Sequence, residues 1–163
     1  MRTVLAILII GGALPLAAAE VDFGVQAAAS LPTSNLSDNA YVGVQGGGHM
    51  RWDFSHGHGI MFRADLAVYP QNGGTSVNGF AVAADYTYHL EGHHTGLYVL
   101  GGLSQASYHT SFSSYSRSDS GLGFDVGAGY DIDRHVGLQA RYTSYSFTGL
   151  TYSAMNVGVT YTF

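Results

Sequence analysis

Met155-Asn-Val-Gly-Val-Thr-Tyr-Thr-Phe163 says more about architecture than any other segment of this chain. Successive side chains of a β-strand point to opposite faces. Met155, Val157, Val159, Tyr161 and Phe163 therefore share one face, and Asn156, Gly158, Thr160 and Thr162 share the other. A greasy face backed by a small polar one suits a wall between lipid and a wet interior. The competing reading is an edge strand of a soluble sandwich.

The same alternation recurs upstream at intervals of about 18 residues, with turn chemistry between. Strands are expected near 21–31, 40–54, 60–69, 77–90, 96–108, 121–132, 136–146 and from about Tyr152 onward. The sixth is the cleanest: Leu122, Phe124, Val126, Ala128, Tyr130 and Ile132 alternate with Gly121, Gly123, Asp125, Gly127, Gly129 and Asp131. In the fifth both faces are fairly apolar, so its register stays open. Short Gly/His/Asp-rich connections (55–59, 91–95, 132–135) alternate with Ser/Thr/Asn/Gly-rich ones (32–39, 70–76, 109–120, 147–151). Short periplasmic turns and longer outer loops are the pattern of membrane barrels. The expected fold is all-β: an eight-stranded antiparallel up-and-down transmembrane β-barrel, with ten strands as the alternative.

Met1–Ala19 carries Arg2, an apolar stretch from Val4 to about Leu16, and the small residues Ala17-Ala18-Ala19. It reads as a signal peptide cleaved before Glu20, leaving one domain over 20–163. No later apolar run approaches 18 residues, so any crossing of a bilayer must be made by strands. The chain has no Cys and cannot rely on disulfides after export. It also has no Lys and a formal net charge of −5, which argues against nucleic acid as a partner. With 23 Gly, 12 Tyr and only 10% charged residues, the composition fits a narrow barrel better than a soluble helical domain. Gly relieves crowding inside such a barrel, and Tyr sits at the lipid–water interface.

In these registers the strand charges fall on the inward face. Arg51, Asp53, Arg63, Asp65, Asp85, Asp125 and Arg141 form a charge-paired core in a barrel just wide enough for side chains. A tight turn at 131–135 would set Asp125 opposite Arg141 across one hairpin. The other use of such a set is an axial ion or proton path. His49 points inward beside Arg51 as a hydrogen-bonded core residue. His56, His58, His93, His94 and His135 crowd the short turns, with His89 nearby, and would ring the periplasmic mouth. Imidazoles so placed can bind a transition metal. No carboxylate or Cys completes a tetrahedral set by spacing, so no metal and no cofactor is expected.

Three segments carry a family resemblance: Gly121-Leu-Gly-Phe-Asp-Val-Gly-Ala-Gly-Tyr130, Gly96-Leu-Tyr-Val-Leu-Gly-Gly102, and Val157-Gly-Val-Thr-Tyr-Thr-Phe163. Over roughly 21–163 the chain resembles the small outer-membrane β-barrel family that includes opacity-type surface antigens. The resemblance implies a place in the Gram-negative outer membrane, among outer-membrane lipid and lipopolysaccharide. It also implies that Val157, Val159, Tyr161 and Phe163 form an assembly signal read by the barrel assembly machinery. One enzymatic cousin, the lipid A deacylase barrel, has a His closely followed by a Ser in its penultimate strand. The comparable stretch here, Arg141-Tyr-Thr-Ser-Tyr-Ser-Phe147, offers Ser144 and Ser146 but no His to act as base. No catalysis is expected. The expected role is structural or surface contact, through His109–Ser120 with Phe112, Tyr115 and Arg117 and an unknown external partner. The loops are too short for a large interface. The alternatives are a narrow channel or small-solute binder, a lipid A-modifying enzyme, and a soluble exported ligand-binding barrel.

Overall fold

The structure is a computed structural model that describes residues 20–37, 40–70, 76–91, 95–112 and 115–163. The expected leader, 1–19, lies outside the described residues. Eight strands run in chain order: β1 Glu20–Ser34, β2 Gly43–Ser55, β3 His58–Pro70, β4 Ser76–His89, β5 Gly96–Phe112, β6 Tyr115–Asp131, β7 Val136–Phe147 and β8 Leu150–Thr162. Each pairs antiparallel with its sequence neighbour, and β1 pairs with β8 to close the ring. Closure removes the free edges that an open sheet would leave. Eight strands, not ten, is the observed count among the described residues.

Alternation decides which way the wall faces. On β8, Met155, Val157, Val159 and Tyr161, with Phe163 just past its end, are exposed on the outside while Asn156, Thr160 and Thr162 are buried inside. The same split holds on β3, where Phe62, Leu66 and Val68 face out against buried Met61, Arg63, Asp65 and Tyr69. Large apolar side chains thus cover the exterior, and every charged side chain that the strands bury lies in the lumen.

The first short turn has turn chemistry to match. Ser55 pairs with His58, leaving His56-Gly57 as a two-residue connection with φ of 40° and 83°. Positive φ at both positions is what a type I′ hairpin needs, and glycine adopts it without strain. At the third short turn Ile132 N donates to Val136 O at 2.9 Å, and Asp133 Oδ1 accepts from His135 N and Val136 N at 2.7 and 2.8 Å.

Two expectations about the hairpins are corrected. Asp125 pairs with Thr143, and Arg141 with Gly127, so Asp125 and Arg141 are not opposite one another. The Asp133-capped turn sets Asp131 against Gly137, two residues out of step with the expected pairing. The stretch 109–120 is mostly not a loop either. Pairing continues from Ala106↔Gly121 out to Phe112↔Tyr115, so β5 and β6 are 17 residues each; β4 stays paired with β5 as far as Ser76↔Ser111, while β6 runs on past the end of β7. Next to β6, β7 and β8 turn back at 148–149, giving an uneven rim at this end of the barrel.

Candidate functional site in the lumen

The inward faces stack into three tiers. Nearest the short turns, Arg51 of β2 reaches Asp131 of β6, Nη1 to Oδ2 at 2.7 Å. His89 of β4 meets the same oxygen through Nε2 at 3.0 Å. The Arg51 guanidinium carbon lies 5.4 Å from the centroid of the Tyr98 ring. Tyr98 in turn accepts a hydrogen bond from Gln139 Nε2 at 3.0 Å. Asp53 is buried at this end, and His49 sits above it with Nε2 3.5 Å from Thr162 Oγ1.

The middle tier is organised by one guanidinium. Arg63 donates through Nε to Asp85 Oδ2 at 2.5 Å and through Nη1 to Asp65, and its Nη2 lies 2.9 Å from Asp125 Oδ1. These side chains are at most 1% exposed. Arg141 approaches Asp65 through Nη2 at 3.4 Å and donates through Nη1 to Gln139 Oε1 at 2.7 Å. Gln26 donates to the other oxygen of Asp65. Three carboxylates and two guanidinium groups thus share a space closed to water, where an unpaired charge is costly. Small inward residues make room for them: a Cβ on Gly47 would lie 2.5 Å from Asp65 Oδ1, and one on Gly102 would lie 2.4 Å from Asp85 Oδ1.

The tier nearest the longer connections is aromatic. Tyr69, Tyr108 and Tyr145 are buried, and the Tyr108 ring lies 6.4 and 6.0 Å from the other two. Phe147 and Tyr152 meet Tyr108 edge-on at 5.8 and 5.4 Å. Leu36, from the turn after β1, is 1% exposed and joins this cluster. Below it Ser30 Oγ donates to Asn156 Oδ1 at 2.5 Å and meets Tyr69 OH at 2.7 Å. Two inner cavities border these tiers, of about 10 Å³ each, room for little more than a water.

The sequence puts Asp131 and His89 on inward faces but leaves both out of the charge network, and it misses the tyrosines. Asp131 stands six residues after Asp125 on the same face, and His89 four after Asp85, so parity alone qualifies both for the network. The tyrosines explain the ambiguous fifth strand. Tyr98, Leu100 and Tyr108 of β5 face a lumen that is itself partly apolar, while Leu97, Val99 and Leu103 face out.

The turn histidines do not converge. His56 is exposed, and His58 stacks on outward Phe54 with ring centroids 6.5 Å apart and bonds Tyr86 OH. His135 Nδ1 lies 2.8 Å from Thr162 O, and its ring is 6.0 Å from that of Tyr161. His93 and His94 lie outside the described residues. Among the described residues no three His, Cys, Asp or Glu side chains group as metal ligands. The Ser144 hydroxyl accepts from Ser153 Oγ at 2.9 Å, and β6, β7 and β8 contain no histidine.

Comparison with known proteins agrees with this geometry. Among solved structures the chain is similar to Neisserial surface protein A (17% identity, 90% of this chain and 99% of that one, TM-score 0.58). It is equally similar to Ail, the attachment invasion locus protein of Yersinia pestis, in complex with a heparin analogue (17% identity, 89% and 99%, TM-score 0.58). The N-terminal β-barrel domain of Pseudomonas aeruginosa OprF follows (16% identity, 88% and 100%, TM-score 0.55). At these identities the likeness is one of fold. No curated protein matched by sequence. The model of the family described as outer membrane protein beta-barrel domain matches residues 3–163, nearly the whole chain. With its closed ring, greasy exterior and polar lumen, the chain belongs to the outer membrane protein β-barrel domain family.

Proposed function

We propose that this barrel is a non-catalytic, non-conducting outer-membrane protein with a structural and surface-contact role. The observation that carries the reading is the filled lumen: the Arg63 cluster and the tyrosine cap leave inner cavities of only about 10 Å³. Purified barrel reconstituted in a planar bilayer should give no stepwise conductance above the lipid baseline. Steady single-channel steps would overturn the reading in favour of a narrow channel.

The same reading has the leader at 1–19 directing export and Val157, Val159, Tyr161 and Phe163 engaging the assembly machinery. Those four side chains are 47–70% exposed on the outside, available to a partner before lipid covers them. The short turns face the periplasm, and the projecting β5–β6 hairpin is the part that meets something outside. Ail was crystallised with a sulfated sugar. A polyanion suits this chain poorly, because it has no Lys and Arg117 is the one Arg in its outer segments. The partner is accordingly a neutral or weakly polar surface, consistent with a hairpin rich in serine.

A further inference from the structure

One row of inward residues carries a gap. Across β7, β8, β1 and β2 the row runs Gln139, Gly158, Ala28 and Gln45, each paired with the next. The two small residues in the middle leave room between the two glutamines, and these four residues line a cavity of about 10 Å³. The neighbouring rows border it as well. Gln26 pairs with Thr160 on the side of the short turns, and Arg141 pairs with Asn156 on the other side. The space suits a single water.

Hydrogen bonds already made decide what the cavity offers. Gln139 donates to Tyr98 OH and accepts from Arg141 Nη1, so both ends of its amide are engaged. Asn156 accepts from Ser30 and donates to Thr143. Gln26 donates to Asp65, and a carboxylate can only accept, so the amide nitrogen of Gln26 is fixed on that side. Its oxygen is left over. Gln26 Oε1, Gln45 Oε1 and Arg141 Nε are all buried and have no hydrogen-bond partner among the described residues. All three side chains line this one cavity. Two of the atoms accept and one donates, and each carries a desolvation cost until it is matched.

We infer that the cavity holds one ordered water, which donates to Gln26 Oε1 and Gln45 Oε1 and accepts from Arg141 Nε. The donor set selects water over an ion. A cation would sit beside the Arg141 guanidinium, and an anion would face two amide oxygens with Asp65 behind one of them. Water donates twice and accepts as well, so it satisfies all three atoms. Three partners is the usual number for a buried water. The water ties β1 and β2 to β7 across the inside of β8, and it completes the hydrogen bonding of a guanidinium that also holds Asp65. It is a fixed part of the lumen filling, and its exchange with solvent requires the barrel to open locally. The site is independent of the surface-contact role and of which end of the barrel faces outward.

The full chain is expressed with isotope labels in a Gram-negative host and extracted from the outer membrane into deuterated detergent. Magnetic cross-relaxation between water and the Arg141 Nε–H is then recorded in the laboratory and rotating frames. Direct contact with a long-held water gives cross-peaks of opposite sign in the two frames, whereas proton exchange gives the same sign in both. Wild type should show opposite signs. Gln45→Met keeps the length of the side chain but removes an acceptor, and should weaken the cross-peaks at least severalfold. Thr160→Val removes the one hydroxyl among the described lining side chains and should leave them unchanged, because they do not pass through that hydroxyl. Titration with sodium chloride should leave the Nε–H shift where it is. Heat-shifted gel mobility shows that each variant has folded; should one fail, the wild-type signs and the salt titration still decide. Absent or same-sign cross-peaks in wild type, full-strength ones in Gln45→Met, or their loss in Thr160→Val overturns the bound water. A saturable shift with salt puts an ion in the cavity and overturns the identity of the occupant.

Discussion

The Arg63 side chain shows how asymmetric a buried charge cluster is. Arg63 and Arg141 face Asp65, Asp85 and Asp125, so carboxylates outnumber guanidinium groups by one. Arg63→Met strands Asp85 and Asp125 and leaves Asp65 only Arg141, and should cost about 3–5 kcal/mol, as breaking a buried pair does. Asp125→Asn leaves two charges of each sign and keeps an amide oxygen toward Arg63, so its cost should be about 1 kcal/mol. Urea unfolding of the refolded barrel, followed by tyrosine and tryptophan fluorescence, measures both; equal losses would contradict the cluster. Glycines differ from one another just as sharply. A Cβ on inward Gly158 would lie 2.0 Å from Ala27 O and 2.5 Å from Ala28 Cα, backbone atoms that cannot swing away. Gly158→Ala should therefore cost roughly 1–3 kcal/mol, like other overpacked sites. Gly101 faces out with its nearest atom at 3.7 Å, and Gly101→Ala should be neutral or slightly stabilising in the same assay. In the third short turn the Asp133 carboxyl is held below the usual carboxylate range by the N–H groups of Val136 and His135. A carboxyl depressed in the folded state stabilises above its unfolded pKa, and that contribution is lost as pH falls through the folded value. Asp133→Asn should accordingly unfold more easily than wild type at neutral pH, and the two should converge in acid below the folded value.

Among the strands, what could be read from the sequence was whatever lipid enforces. Where one face must be apolar, period two is strict, and β3, β4, β7 and β8 appear close to their expected limits. Beyond the apolar band the constraint disappears while the hydrogen-bonded ladder continues. Tyr115–Ser120 is serine-rich and reads as a loop, yet it pairs residue for residue with β5. The hairpin register at β6–β7 was hidden for a different reason. It is set by backbone N–H groups captured by Asp133, a count of turn residues that alternation cannot supply. In the lumen, the parity of Asp131 and His89 was visible, but the meeting of Arg51 and His89 at the Asp131 carboxylate depends on which strands face one another after closure. The projecting hairpin carries its own prediction. The chain has no Cys, so Ser118→Cys or Arg134→Cys introduces a single thiol, each at an exposed site at opposite ends of the barrel. In intact cells a membrane-impermeant maleimide should label Ser118→Cys and spare Arg134→Cys until the outer membrane is permeabilised. The reverse pattern would invert the barrel and take the surface-contact role from β5–β6.

For the molecule as a whole, the exterior and the lumen make opposite demands, and one substitution can tell which medium lies outside. Val126, in the middle of the outward row of β6, is 49% exposed. On a protein surrounded by water, replacing so exposed a valine by arginine would change stability by about 0.5 kcal/mol or less. On a barrel whose wall is solvated by hydrocarbon, an arginine near mid-band costs roughly 2–4 kcal/mol. The penalty should fall toward the band's edge, so Leu31→Arg, close to the outer end of β1, should cost about 1 kcal/mol or less. The depth dependence carries the argument, because a general packing defect would not track distance from mid-band. Both variants should keep the shift in gel mobility between unheated and boiled samples, since the ring of eight paired strands is untouched. Equilibrium unfolding from phospholipid vesicles reads the difference. A flat profile across the two positions would mean that the greasy face meets something other than lipid, and the outer-membrane placement would have to be given up.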